Sequence, residues 1–155
     1  MSKTKGNYSA FDTAAYYLSF KDRTVKELTD KLKDKEYEAE EIDDAVSKLL
    51  HYGYLDDERY ARAYIKDNLK RKGINLIKRE LFAKGVDRDA VSSVWETLCI
   101  DTDSELVAVR DIYSRRFLNL DMSDDRQKRR VYSYFQRRGF SFELVNRAIR
   151  DMGEE

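Results

Sequence analysis

The sequence predicts an all-α fold of three tandem three-helix repeats, about nine helices, and three observations predict it. Proline is absent from the 155 residues and glycine occurs only 6 times, so almost nothing interrupts a helix. Charged residues make up 39% of the chain and hydrophobic ones 41%, a mixture that suits amphipathic helices better than sheets. One apolar spacing also recurs three times along the chain, which marks a repeat architecture. A chain of this length buries one sizeable core or a short string of small ones, and hardly two full domains.

At the N-terminus no apolar periodicity runs through Met1 to Asn7, and residues 1–9 are expected to be a flexible tail. The repeats follow, over residues 10–55, 56–100 and 101–155. In the first, Leu28, Leu32, Tyr37, Ile42, Val46 and Leu49 are separated by steps of 4, 5, 5, 4 and 3. Ile77, Leu81, Val86, Val91, Trp95 and Leu98 repeat those steps, as do Val131, Phe135, Phe140, Val145, Ile149 and Met152. Steps of 3 and 4 keep side chains on one helical face, whereas two consecutive steps of 5 cross a short turn, so each set reads as helix, tight turn, helix. Trp95 stands where the other copies have Val46 and Ile149, which predicts core packing.

Gly85 and Gly139 lie just before the central anchor, where a left-handed residue is wanted to end the helix. Glu36 holds that place in the first copy, so its turn is expected to be costlier and the least tight. A further apolar-periodic segment precedes each pair of helices: Ala14 to Leu18, Tyr60 to Leu69, and Leu106 to Phe117. Thr24 with Glu27 forms a capping-box pattern, and Asp56 or Asp57, Asp87, Ser104, Ser123 and Ser141 are candidate caps. Anchors are offset by 49 residues between the first two copies and by 54 between the last two. The added residues are placed at Asn119 to Ser123. Repeats of this kind bury a continuous core only through their neighbours, which predicts a curved, elongated molecule suited to binding along something long.

A net charge of zero conceals alternating blocks. Residues 27–58 hold 12 acids and 4 bases, residues 59–86 hold 2 and 9, residues 87–109 hold 6 and 1, and residues 110–150 hold 5 and 11. The basic clusters are Lys70, Arg71 and Lys72; Lys78 and Arg79; Arg115 and Arg116; Lys128, Arg129 and Arg130; and Arg137 and Arg138. These twelve residues are the candidate binding residues. They suit a phosphate backbone, where basic groups displace counterions, an acidic protein surface, or plain solvated helix faces.

Several classes of function find no support. No run approaches the roughly 18 apolar residues of a membrane span, and the N-terminus has charges where a signal peptide needs an apolar region. Cys99 is the only cysteine, which excludes an internal disulfide and points to a cytoplasmic location. No nucleophile elbow, phosphate-cradling glycine loop or metal-ligand spacing appears, and His51, the only histidine, reads as a helix-end residue. Asp56 and Asp57 read as a helix cap and a dipole partner in preference to a metal site. Tyr60 and Tyr64, one helical turn apart, read as packing between repeats in preference to a base-stacking platform. No catalysis, cofactor or metal is expected.

The segment from Gly53 to Tyr64, which runs Gly-Tyr-Leu-Asp-Asp-Glu-Arg-Tyr-Ala-Arg-Ala-Tyr, resembles the signature of the RecX family. Upstream, Arg23, Thr24, Glu27 and Leu28 with Lys31 and Leu32 are similar to its arginine-serine, glutamate-leucine and lysine-leucine pattern. Downstream, Ile77 to Leu81 with Lys84, Gly85 and Val86 resemble its second-repeat motif. The resemblance covers nearly all of the chain after residue 10 and thins in the third repeat. It implies a non-catalytic regulator of homologous recombination and the SOS response, which binds the RecA filament on single-stranded DNA. Such a protein limits filament growth, ATP hydrolysis, strand exchange and co-protease activity, and it contacts the DNA backbone weakly and without sequence preference. A monomer is expected. The rival readings are a helix-turn-helix-like duplex-binding regulator and a helical-repeat protein scaffold.

Overall fold

The computed structural model describes residues 7–154, so most of the tail expected at residues 1–9 lies outside the described residues. Of the rest of that segment, the Ser9 side chain accepts from the Asp12 N–H and caps the first helix, and the Tyr8 carbonyl accepts from the Tyr37 hydroxyl at 2.9 Å. The described residues form nine helices and no strand: α1 (Ala10–Phe20), α2 (Val25–Asp34), α3 (Ala39–His51), α4 (Asp57–Asn68), α5 (Ile74–Ala83), α6 (Arg88–Leu98), α7 (Thr102–Arg116), α8 (Asp125–Arg137) and α9 (Phe142–Gly153).

Capping chemistry sets most of the helix starts. Thr24 accepts from the Glu27 N–H, Asp56 from Arg59 and Ser141 from Leu144, each relieving a donor that the first helical turn leaves unpaired. Two expected caps move. Asp101 caps α7 in place of Ser104, and Asp124 caps α8 in place of Ser123. The capping carboxylate stands three residues before the serine at α7 and one residue after it at α8, and each serine makes its own bond back to an aspartate, Ser104 to Asp101 and Ser123 to Asp121. The longer connection falls where expected, between the end of α7 at Arg116 and the start of α8 at Asp125.

The turns inside the three helix pairs are the same turn. Glu36, Gly85 and Gly139 have φ of 65°, 87° and 86°. In each copy this residue's N–H donates to the carbonyl three residues back, and the next N–H donates to the carbonyl five back: Tyr37 to Leu32, Val86 to Leu81, Phe140 to Phe135. That is the Schellman ending of a helix. The first turn is as tight as the others, because its closing bond at 3.3 Å is barely longer than their 3.1 Å. Glu36 bears the left-handed strain instead of relaxing it.

The first, second and fourth repeat anchors are buried in every copy, with Leu28, Leu32, Ile77, Leu81, Val131 and Phe135 all at 0% exposure, whereas Tyr37 at the third and Leu98 and Met152 at the sixth are half-buried. The fifth is displaced by one residue in every copy. Val46, Trp95 and Ile149 are only half-buried, while their predecessors Ala45, Val94 and Ala148 are buried. Trp95 is therefore a flank residue beneath the Lys78 ammonium, 4.9 Å from its ring centroid, and not a core anchor.

The chain forms two compact units. One comprises the described residues up to Arg62 with Leu81–Val94, and the other comprises Ala63–Glu80 with the chain from Trp95 onward. The first has a core of Ala14, Leu28, Leu32, Ile42, Leu49 and Leu55, with α1 packed on α3 and α2. The second is centred on Val109, Val131, Phe135, Phe140 and Ala148, with α9 packed on α7 and α8. Each of these buried leucine, valine or phenylalanine side chains contributes about 1.5–3 kcal/mol.

The same pair of polar bonds recurs in the two units. In the first, the Thr24 hydroxyl donates to the Lys84 carbonyl at 2.6 Å and the Val25 N–H donates to Asp57 at 2.9 Å. In the second, the Gly73 N–H donates to the Arg138 carbonyl at 2.7 Å and the Ile74 N–H donates to Glu105 at 2.8 Å. Positions 24 and 73, and 25 and 74, are separated by the 49-residue offset of the repeat. Burial raises the pKa of both Asp57 and Glu105 despite the amide bond each accepts. Asp57 thus braces the start of α2 against α4.

Candidate functional site

The second unit gathers cations that the sequence keeps far apart. The last turn of α7 carries Arg115 and Arg116, where positive charge meets the negative end of the helix dipole. The next residue, Phe117, turns into the core, and its ring meets Tyr134 edge-on at 5.1 Å. On α8, Val131 and Phe135 are buried, which leaves Tyr134 on the flank and Arg138, the C-cap residue, one turn beyond it. The 69–73 connection after α4 carries Lys70 and Arg71. Its last residue, Gly73, is bonded to the Arg138 carbonyl, which brings this connection to the end of α8.

The result is a cleft of about 510 Å³ lined by Lys70, Arg71, Arg115, Arg116 and Arg138, with Tyr134 and Ile112 between them and Asp67 and Asp111 also on its wall. Arg115 is engaged by Asp111 at 3.0 Å but is 75% exposed, and an exposed pair of this kind contributes only about 0–1 kcal/mol. Arg71 donates to the Asp67 carbonyl. Arg116 and Arg138 both stack on Tyr134, with their Cζ atoms 5.3 and 4.5 Å from the ring centroid. The sum of those distances, 9.8 Å, bounds the separation of the two guanidiniums. Even at that limit they repel by about 0.4 kcal/mol in bulk water, a repulsion that a bound anion relieves.

The other predicted cations are placed differently. Arg79 and Arg137 share a shallow groove with Ser133 and Gln136. Lys72 is drawn inward onto Glu80, at 2.8 and 3.0 Å from its two oxygens, and lies over the Tyr64 ring. Lys78 covers Trp95. Lys128, Arg129 and Arg130 stand exposed on α8 and line neither the cleft nor the groove. Tyr134 was absent from the expected residues. Its signal was its place on α8, one turn before Arg138, beside the apolar anchor Phe135.

The tyrosines of α4 are half-buried flanks, while Ala61 and Ile65 form the buried face of that helix. The Tyr64 hydroxyl donates to Glu80. Burial, and after it the Glu27 carboxylate, pushes the Tyr60 hydroxyl up to about 12. His51 is the last residue of α3. Among the described residues no group of three or more His, Cys, Asp or Glu is arranged to hold a metal ion, and no helix is long and apolar enough to cross a membrane.

The family models for the first, second and third three-helix domains of RecX match residues 10–49, 56–94 and 103–149, in chain order. The chain belongs to the RecX family. Among RecX relatives, the regulatory protein RecX of Trichlorobacter lovleyi is 36% identical over 133 residues, 83% of this chain and 85% of its own. That of Bacillus pumilus is 34% identical over 143 residues, 91% of this chain and 54% of its own. The chain thus spans about half the length of the Bacillus RecX proteins it matches. The crystal structure of RecX from Lactobacillus salivarius shares the fold, with a TM-score of 0.78 at 20% identity over 94% of this chain and 96% of that one. A second RecX crystal structure gives 0.76 at 22% identity, over 90% and 70%. By membership in RecX, the chain is one of a family of regulatory proteins.

Proposed function

We propose that this chain is a non-catalytic regulator that binds the RecA filament on single-stranded DNA and limits its growth, ATP hydrolysis, strand exchange and co-protease activity. The observation that carries this reading is the match of all three RecX domains in order. On this reading the repeats over 10–55, 56–100 and 101–155 act together on the filament, from the cytoplasm and as a monomer. The basic cleft supplies contacts to the DNA backbone, weak and indifferent to sequence because guanidinium and ammonium groups gain affinity by releasing counterions from phosphates. The two guanidiniums held on Tyr134 support that assignment.

The test is the single-stranded-DNA-dependent ATPase of the cognate RecA, with this protein titrated well below one copy per recombinase. Inhibition at that ratio is expected, since a regulator acting at filament ends or gaps needs few copies. An unchanged rate with folded protein would refute the reading and favour the duplex-binding alternative.

A further inference from the structure

The cleft in the second unit has a feature that a plain basic strip lacks. Two of its five cations, Arg116 and Arg138, are both stacked on the one aromatic ring among its lining residues. A guanidinium resting on a ring keeps its fork of N–H donors free at the edge while losing part of its rotational freedom. Neither Arg116 nor Arg138 has a carboxylate within salt-bridge distance among the described residues. The ring is at the same time engaged edge-on by Phe117 and Phe135. Tyr134 is therefore occupied as a support and does not serve as a stacking platform.

We infer that this cleft is a clamp for two neighbouring phosphates of a flexible phosphate chain, blind to bases, so that it takes inorganic polyphosphate as well as the backbone of single-stranded nucleic acid. Arg116 and Arg138 are the contacting groups, and Tyr134 is the residue that positions them. The inference rests on the reading of the cleft as a phosphate site and does not depend on RecA.

Each alternative ligand meets an obstacle. A base seeks an open aromatic face or a paired set of donors and acceptors. No amide side chain is among its lining residues, and of its two carboxylates Asp111 is engaged by Arg115, so Asp67 alone does not make up a paired set. A duplex presents its backbone on a wide convex cylinder, whereas Arg116 and Arg138 converge in a concave cleft. An acidic peptide could reach in, but exposed carboxylate pairs add little, and a peptide lacks the dense counterion atmosphere whose release favours phosphate binding. A separation of at most 9.8 Å suits adjacent charges on one chain better than two independent anions.

The experiment uses the full chain and a fluorescent oligothymidylate, followed by anisotropy over a salt series, with an abasic oligonucleotide of equal length and inorganic polyphosphate as competitors. The abasic strand is expected to bind within about threefold of oligothymidylate, and polyphosphate to displace both, because affinity follows phosphate charge. Arg116→Ala with Arg138→Ala should weaken all three probes by at least about tenfold at low salt and lower the log–log salt slope by about 1.4, at about 0.7 per single-strand contact. Tyr134→Leu should weaken binding at nearly unchanged slope, since both charges remain. Circular dichroism confirms that each variant is folded.

An abasic strand bound more than about tenfold more weakly would overturn the inference, since stacking can contribute about 1–3 kcal/mol per base. So would failure of polyphosphate to compete, or an unchanged slope in the folded double variant. Any of these three outcomes can occur with the RecA ATPase inhibited or not, so failure here is distinguishable from failure of the filament reading.

Discussion

Gly73→Ala isolates the contact that builds the basic cleft. A β-carbon added at Gly73 would lie 2.3 Å from the Gly139 carbonyl oxygen and 2.7 Å from the Phe140 nitrogen, both backbone atoms that cannot rotate away. The φ of Gly73 is outside the left-handed region, so alanine fits the local conformation and by itself would stabilise the fold by about 0.4–1 kcal/mol through the unfolded state. The steric term opposes this. Restoring ordinary contact distance requires the two backbones to part by more than an ångström, which breaks the 2.7 Å bond from the Gly73 N–H to the Arg138 carbonyl. A buried donor left unpaired costs about 1–3 kcal/mol, and forced displacement of a packed segment adds about 1–3 kcal/mol. The expected net loss is about 2–4 kcal/mol, seen in urea unfolding by circular dichroism at 222 nm, with a fall in Tm of about 6–12 °C. A variant within about 0.5 kcal/mol of the parent would refute the idea that this close approach holds the 69–73 connection to the end of α8.

Glu36→Gly should stabilise the protein by about 0.5–1 kcal/mol, because the left-handed conformation at φ 65° strains glutamate and not glycine; a loss in denaturant unfolding would contradict the shared-turn account. Burial raises the Glu105 pKa, so the folded state holds its proton more tightly than the unfolded state, and stability falls as pH rises through the interval above the ordinary value of 4.5. Glu105→Gln, which keeps an acceptor for the Ile74 N–H, should flatten that fall, whereas Glu105→Ala should cost about 1–3 kcal/mol at all pH values; paired pH–stability curves decide this. Tyr60 should ionise near pH 12, and because its folded pKa lies above the unfolded value, its contribution to stability is whole below pH 10 and lost on the way to 12. The difference in alkaline absorbance titration between the parent and Tyr60→Phe should contain one tyrosine titrating there. Ala148→Leu should destabilise by about 1–3 kcal/mol through overpacking, at a site of 0% exposure; tolerance of the leucine would mean that this face is looser than it looks.

The helical plan was legible because periodicity is a property of single elements. Spacing alone separated helix from turn in all three repeats, and the left-handed turn residues fell at Glu36, Gly85 and Gly139 as the pattern required. The same spacing misplaced the fifth anchor. Val46, Trp95 and Ile149 outrank the residue before them in hydrophobic size, yet the closely packed position is taken by Ala45, Val94 or Ala148. An alanine gives little signal in an apolar count, although a close helix approach needs a small side chain.

The cleft was legible only in part, because sequence clusters charge by adjacency and the fold regroups it. Arg71 and Lys72 are neighbours in the chain, but one joins the cleft and the other is spent on Glu80. Lys70 and Arg138 are far apart in the chain and line one wall system, owing to a backbone bond that carries no side-chain signature. The stacking bonds show why such contacts escape a repeat search. A threonine hydroxyl at position 24 and a glycine amide at position 73 both donate to the carbonyl before a left-handed turn residue, Lys84 before Gly85 and Arg138 before Gly139. Their side chains have nothing in common, and Asp57 and Glu105, which complete the two joints, differ by a methylene. What repeats is a place in the backbone, so residues of different chemistry can fill each joint while its geometry is kept, and the basic cleft lies beside the glycine version.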